Sequence, residues 1–341
     1  MDFLLLKRLC ETAAIAGREE AVRAIVIEEL KPFVDDISID VMGNVIAFKK
    51  GKGKGKRKRV MLAAHMDEIG FLVKSVDDKG FVKLFPMGGI DAKNVNGRKV
   101  VITGKEGTVS GMAIFPNKEG AATVDGIHID TGLSGDDAKA KIQQYDIVTM
   151  DRPIEELGNY IVGKAMDDRV GIYCLIDTIK KLKDPEVDVY AVATAQEEIG
   201  TRGAGPAAFA IMPDVGVAMD VTGATDYPGA DEVDVPPKLG NGPSIRILDG
   251  SLICHPKLID HFREVASKHK IPHQTELMNR GGTDAGAIQR SRAGAAAITV
   301  SVPVRYMHSV NELVCASDLD AQSDLMARFV EDVHTRDYHY D

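Results

Sequence analysis

Cysteine is scarce in this chain. The four thiols, Cys10, Cys174, Cys254 and Cys315, stand far apart and form no CxxC pair. That usage argues against a disulfide framework and suits buried thiols in a reducing compartment. Long apolar runs are also missing: no segment reaches the length of a membrane span, and the opening MDFLLLKRLC has neither a basic n-region nor a cleavage site. A cytoplasmic protein is expected. Positive charge is in deficit, with 42 Lys and Arg against 51 Asp and Glu and a net charge of -9, which argues against nucleic acid or an anionic membrane as the main partner. Tryptophan is absent, yet 44% hydrophobic and 27% charged residues describe a soluble globular protein. A length of 341 residues allows one large domain or two ordinary ones with a sizeable core. The one basic concentration, KKGKGKGKRKR from Lys49 to Arg59, lies between two strand-like segments and reads as a solvated hairpin loop rather than an anion-binding tip.

What is present alternates along the chain. The first forty residues are helix-rich, with Val22, Ala24, Ile25, Ile27 and Leu30 on a helical period. The strands DISIDVM, NVIAFKK and VMLAAH follow. From about Phe71 to Val162, short β-type runs such as FLVKSV, FVKLF, KVVITG and YDIVTM alternate with turn signals such as DDKG and NVNGR. Closely spaced strands without long helices suggest a small β-barrel or sandwich. After Gly163 the pattern returns to alternating helices and apolar strands of the kind buried in parallel sheets: VGIYCLIDTIKKL, VDVYAVATA, VGVAMDV, AAAITVSVPV. The economical architecture is α/β: one domain formed by residues 1–70 and 163–341, interrupted by a β-rich insertion over 71–162.

Suspicious acids and histidines sit just past the ends of these strands. VMLAA runs into His65 and Asp67, VYAVATA into Glu197 and Glu198, VGVAM into Asp220, and ITVSVPV into the segment carrying His308; Asp167 and Asp168 open the first long helix of the second half. Ligands of open parallel sheets bind where the carboxyl ends of strands converge. Taken singly, each residue has a bland reading: a hydrogen-bonded loop histidine, a helix N-terminal acid pair or an N-cap. Together, so many carboxylates cannot share a crevice unneutralised. One or two bound cations resolve the conflict, and imidazole with carboxylate suits zinc, cobalt or manganese.

The motifs AAHMDEIGF, VGKAMDDRVG, ATAQEEIGTRGA, AMDVT, RGGTDAGAIQ and VRYMHSVNE resemble, in order and spacing, the dinuclear-metal aminopeptidases that assemble into tetrahedra, the glutamyl and deblocking aminopeptidases, some of them once labelled endoglucanases. The resemblance spans essentially the whole chain. TAAIAGREE departs from the family's proline- and glycine-containing turn, at a place expected to touch no ligand. The resemblance implies a zinc-peptidase-like α/β catalytic domain with an inserted dimerisation domain, dimers assembled into a dodecamer, and short peptides as substrates. It implies two divalent metal ions per subunit: His65 and Asp220 on one, Glu198 and His308 on the other, and Asp167, joined to Asp168 by a cis peptide, bridging them. Asp67 would hold the other ring nitrogen of His65, and Glu197 would be the general base for a metal-bridging water that attacks the first peptide bond. Two other readings compete. A glycoside hydrolase works with two carboxylates and no metal, which leaves His65 and His308 without a role. A scaffold that has lost catalysis is disfavoured by the presence of every expected ligand and the base.

Overall fold

The computed structural model describes residues 1–115, 123–230 and 235–340; residues 116–122 of the expected insertion lie outside the described residues. Its centre is an eight-stranded sheet. Arg59–His65, Asp188–Thr194, Val215–Gly223 and Ala296–Val304 are its middle strands, and they run parallel. They are largely apolar and almost every position is buried, so neither face presents a polar stripe and both must be covered. Helices Phe3–Glu11, Glu20–Leu30, Met166–Lys181, Pro256–His269 and Ala316–Asp332 contribute to a single core with these strands. The antiparallel pair Asp36–Ile39 and Val45–Lys49 closes one side of the sheet, and Ser244–Leu248 with Gln274–Leu277 closes the other.

The basic segment is not a hairpin loop. Strand Asp188–Thr194 lies between Val45–Lys49 and Arg59–His65, antiparallel to the first and parallel to the second. The segment therefore crosses over a strand end. Its glycines permit the crossing, since a Cβ on Gly51 or Gly53 would lie 2.5 Å and 2.2 Å from the main-chain oxygens of Val187 and Glu186. Arg57 is tied to Asp188 at 2.7 Å.

The β-rich stretch forms a closed barrel of six strands, Gly70–Val76, Val82–Met87, Arg98–Gly104, Gly107–Ile114, His128–Asp130 and Ile147–Met150. Closure removes the open edges that a small sheet would expose, and Phe71, Val73, Leu84, Val100, Ile129 and Val148 fill its own separate core. The DDKG turn works as its residues suggest: Asp77 accepts from the amides of Lys79 and Phe81 at 2.9 and 3.0 Å, and Gly80 takes φ +90°. Glu155–Leu157 and Tyr160–Gly163 are not in the barrel; they form a three-stranded sheet with Glu312–Cys315 from late in the chain.

Candidate metal centre

The parallel register brings the suspected residues to one level. Thr194 pairs with His65, Ala218 with Ala63, and Asp220 with Ser301. The sheet therefore delivers His65, the Glu197–Glu198 turn and Asp220 to adjoining positions at its carboxyl end, and His308 follows the fourth parallel strand. Asp167 opens helix Met166–Lys181, and its peptide bond to Asp168 is cis.

The side chains meet. Asp167 places Oδ1 3.0 Å from His65 Nε2 and Oδ2 3.3 Å from His308 Nε2. His308 Nε2 also lies 3.6 Å from Glu198 Oε2. Ligand atoms of His65, Asp167 and Glu198 form one group lying within 4.8 Å of one another, and those of His65, Asp168 and Asp220 form another. His65 Nδ1 lies 2.9 Å from the main-chain oxygen of Asp67 and 3.6 Å from its carboxylate. The Asp67 carboxylate instead accepts from the amides of Glu197 and Glu198 at 3.0 and 3.1 Å. One residue thus orients the imidazole through its carbonyl and braces the acidic pair through its side chain. The Glu197 carboxylate has no hydrogen-bonded partner among the described residues.

The electrostatics are those of a site built around positive charge. Burial, reinforced by Asp167, pushes Glu198 up to about 8, and burial, with Asp167 adding to it, pushes Asp220 up to about 7. Burial also drives Glu197 well above the carboxylate range, opposed by His65 and reinforced by Asp220. Burial acts upward on Asp167 too, but the imidazoles of His308 and His65 hold it below that range. Burial would lower His308, yet Asp167 outweighs it and holds the imidazole at about 10. Left to themselves, the carboxylates gather protons and make the histidines cationic. Glu198 Oε1 is buried with no hydrogen-bond partner among the described residues. Divalent cations fit this donor set: they would neutralise the carboxylates, occupy the orphaned oxygen and leave the imidazoles neutral.

Several contributors have no signature in the sequence reading. Glu312, buried, accepts from the amides of Asp167 at 3.1 Å and His308 at 2.7 Å. Glu19, also buried, accepts from Gln196 N at 3.1 Å, so TAAIAGREE braces the residue before Glu197 while hydrogen-bonding to none of the expected ligands among the described residues. Glu68 forms a buried cluster with Lys164 (2.6 Å) and Arg169 (3.3 Å) beside Asp167. From the barrel, Gly88 and Gly89 approach the centre: a Cβ on Gly88 would lie 3.2 Å from Glu198 Oε2, and one on Gly89 would lie 3.1 Å from His308 Nδ1. The Gly88–Gly89 pair in PMGGI is the cue the sequence offers, since glycine permits close backbone approach.

Known proteins resemble this chain in sequence and fold. A family model described as M42 glutamyl aminopeptidase matches residues 43–325. The chain belongs to the M42 aminopeptidase family. It is 35% identical over 353 residues to the lysyl aminopeptidase of Pyrococcus furiosus, covering 99% of each chain. Its fold superposes on an aminopeptidase from the archaeon Desulfurococcus kamchatkensis with a TM-score of 0.92 at 39% identity, over 96% of this chain and 94% of that one. It superposes with a TM-score of 0.85 at 30% identity on the TET1 peptidase of Pyrococcus horikoshii, over 96% and 98% of the two chains; that peptidase can assemble into a tetrahedron or a large octahedral shell. The M42 protein described here is accordingly a hydrolase, a metal-dependent aminopeptidase, and the tetrahedral-aminopeptidase resemblance of its motifs is borne out, as is an α/β body carrying a β-barrel.

Proposed function

We propose that this M42 enzyme removes N-terminal residues from short peptides with two divalent cations per subunit, zinc, cobalt or manganese. The observation that carries the reading is Asp167, whose two carboxylate oxygens each face the Nε2 of a different histidine. That is the arrangement of a carboxylate shared between two neighbouring ions. His65 and Asp220 would hold one cation, Glu198 and His308 the other, and Asp167 both. When bound, the cations supply Lewis acidity, lowering the pKa of water and polarising the scissile carbonyl. Glu197, free of protein partners and made basic by its surroundings, takes the proton of the attacking water and returns it to the leaving amine. Asp67 keeps Glu197 and Glu198 apart in role by fixing both amides while leaving both side chains free to point into the site.

In this reading residues 1–70 and 163–341 are the catalytic domain, and 71–162 form an inserted domain through which subunits pair, twelve of them building a hollow shell like that of the P. horikoshii relative. Cytoplasmic residence is supported by four free and buried thiols; no helix of the described residues is long and apolar enough to cross a membrane. The test is metal removal. Dialysis against a chelator should abolish hydrolysis of leucyl or glutamyl anilides, and zinc, cobalt or manganese should restore it. Full activity in protein shown metal-free by elemental analysis refutes the reading.

A further inference from the structure

One residue assigned to the cations, and one close before another, have left-handed backbone. His308 itself has φ +58°, and Ala165, two residues before Asp167, has φ +56°. Neither is glycine, and the left-handed region persists for such residues only where the surroundings impose it. The loop carrying His308 is pinned at its base, where Arg305 and Leu313 exchange main-chain hydrogen bonds of 2.9 and 3.1 Å. Arg305 is gripped in turn by both carboxylate oxygens of Asp226 at 2.7 and 2.8 Å. Within that closed loop Glu312 reaches back across four residues to the His308 amide with Oε1, and across to the Asp167 amide with Oε2. Its strand is registered against Gly163, so the segment leading to Asp167 is held on both its main chain and its amide. The Glu312 side chain is 2% exposed and has no other hydrogen-bonded partner among the described residues.

We propose that Glu312 is a positioning residue for the centre: one carboxylate, by taking the amides of Asp167 and His308, sets the distance between the shared carboxylate and the second imidazole. This rests on the metal reading above. A hydrogen-bonded carboxylate can serve two donors at once because both its oxygens are acceptors. An amide in its place offers one oxygen and turns an N–H₂ against the other main-chain N–H. Glu312→Gln keeps the volume and removes only this second acceptance.

The experiment is a titration of metal-depleted wild-type and Glu312→Gln protein with zinc and with manganese, followed by isothermal calorimetry and equilibrium dialysis, with melting of both proteins recorded in chelator. Loss of an outer partner of a metal ligand typically costs about 10–100-fold in metal affinity. The expected result is a loss of that size in the equivalent assigned to Glu198 and His308, little change in the other, and melting in chelator close to wild type. Raising the metal concentration should restore kcat, which a general folding defect would not allow. Two equivalents bound with wild-type affinity by the variant overturn the inference. So does a variant that loses both equivalents together with a large drop in melting temperature in chelator. A wild-type protein that binds no divalent cation overturns the metal reading and this inference together, so the two failures are told apart in the wild-type arm.

Discussion

Glu197 and Glu198 are neighbours in sequence, but exchanging each for its amide should produce two different enzymes. Both main-chain amides bond to Asp67, so neither exchange disturbs how the turn is held. The side chains differ in surroundings. Glu198 Oε2 lies 3.6 Å from His308, and Oε1 is buried with no hydrogen-bond partner among the described residues, as suits a cation ligand. Glu197 has no such neighbour and is made basic chiefly by burial. Removing a general base typically costs about 10²–10⁴-fold in rate, or about 3–5 kcal/mol in the activation barrier at about 1.36 kcal/mol per decade. Glu197→Gln should therefore lose that much in kcat while keeping two bound ions and its assembly. Glu198→Gln replaces an anionic ligand by a weak neutral one, so it should bind its second ion less tightly and recover activity as metal is raised. The assay is anilide hydrolysis and metal stoichiometry for both variants across one metal titration. If Glu197→Gln sheds metal and Glu198→Gln does not, the roles are reversed and the reasoning fails.

Other outcomes follow from the same structure. Gly89→Ala puts a methyl 3.1 Å from His308 Nδ1, so the imidazole must move; weaker metal binding at that site, read by calorimetry, is expected with the barrel still folded. Light scattering of the metal-replete enzyme should give a mass near twelve subunits, and a monomer at micromolar concentration contradicts the proposed assembly. Phe329 is fully buried and stacks on Phe262 with ring centroids 3.9 Å apart, so Phe329→Ala should destabilise the protein by about 3–5 kcal/mol in urea unfolding. Asp332 is held down at about 2, burial acting upward but outweighed by its bonds to Lys268, Thr335 and His261. Its stabilising effect is present above the ordinary carboxylate pKa and is lost as pH falls toward 2, so Asp332→Asn should flatten that part of the acid-unfolding curve, by a modest amount at so open a site.

The sequence by itself singled out the candidates for the chemistry. Buried parallel strands are written as largely apolar runs, and polar residues at or just past the end of such a run gather at the carboxyl end of the sheet, so His65, Asp67, the Glu197–Glu198 pair, Asp220 and the segment carrying His308 stood out by pattern, while the roles given to each came from the family resemblance. The barrel strands were legible for a related reason, since short apolar runs between turn residues follow from local geometry; the three-residue strand His128–Asp130 was too short to leave a period. Only the tertiary structure decided who stands beside whom. The basic segment reads as a hairpin because its flanking strands are close in sequence, but strand Asp188–Thr194, more than a hundred residues later, takes the place between them. Glu19 and Glu312 act on main-chain amides of other segments, and an amide has no identity in the sequence, so no pattern of side chains could announce those bonds. Hydrophobic period records how each segment is buried, whereas the spacing of a metal centre is set by contacts between segments that share no local signal.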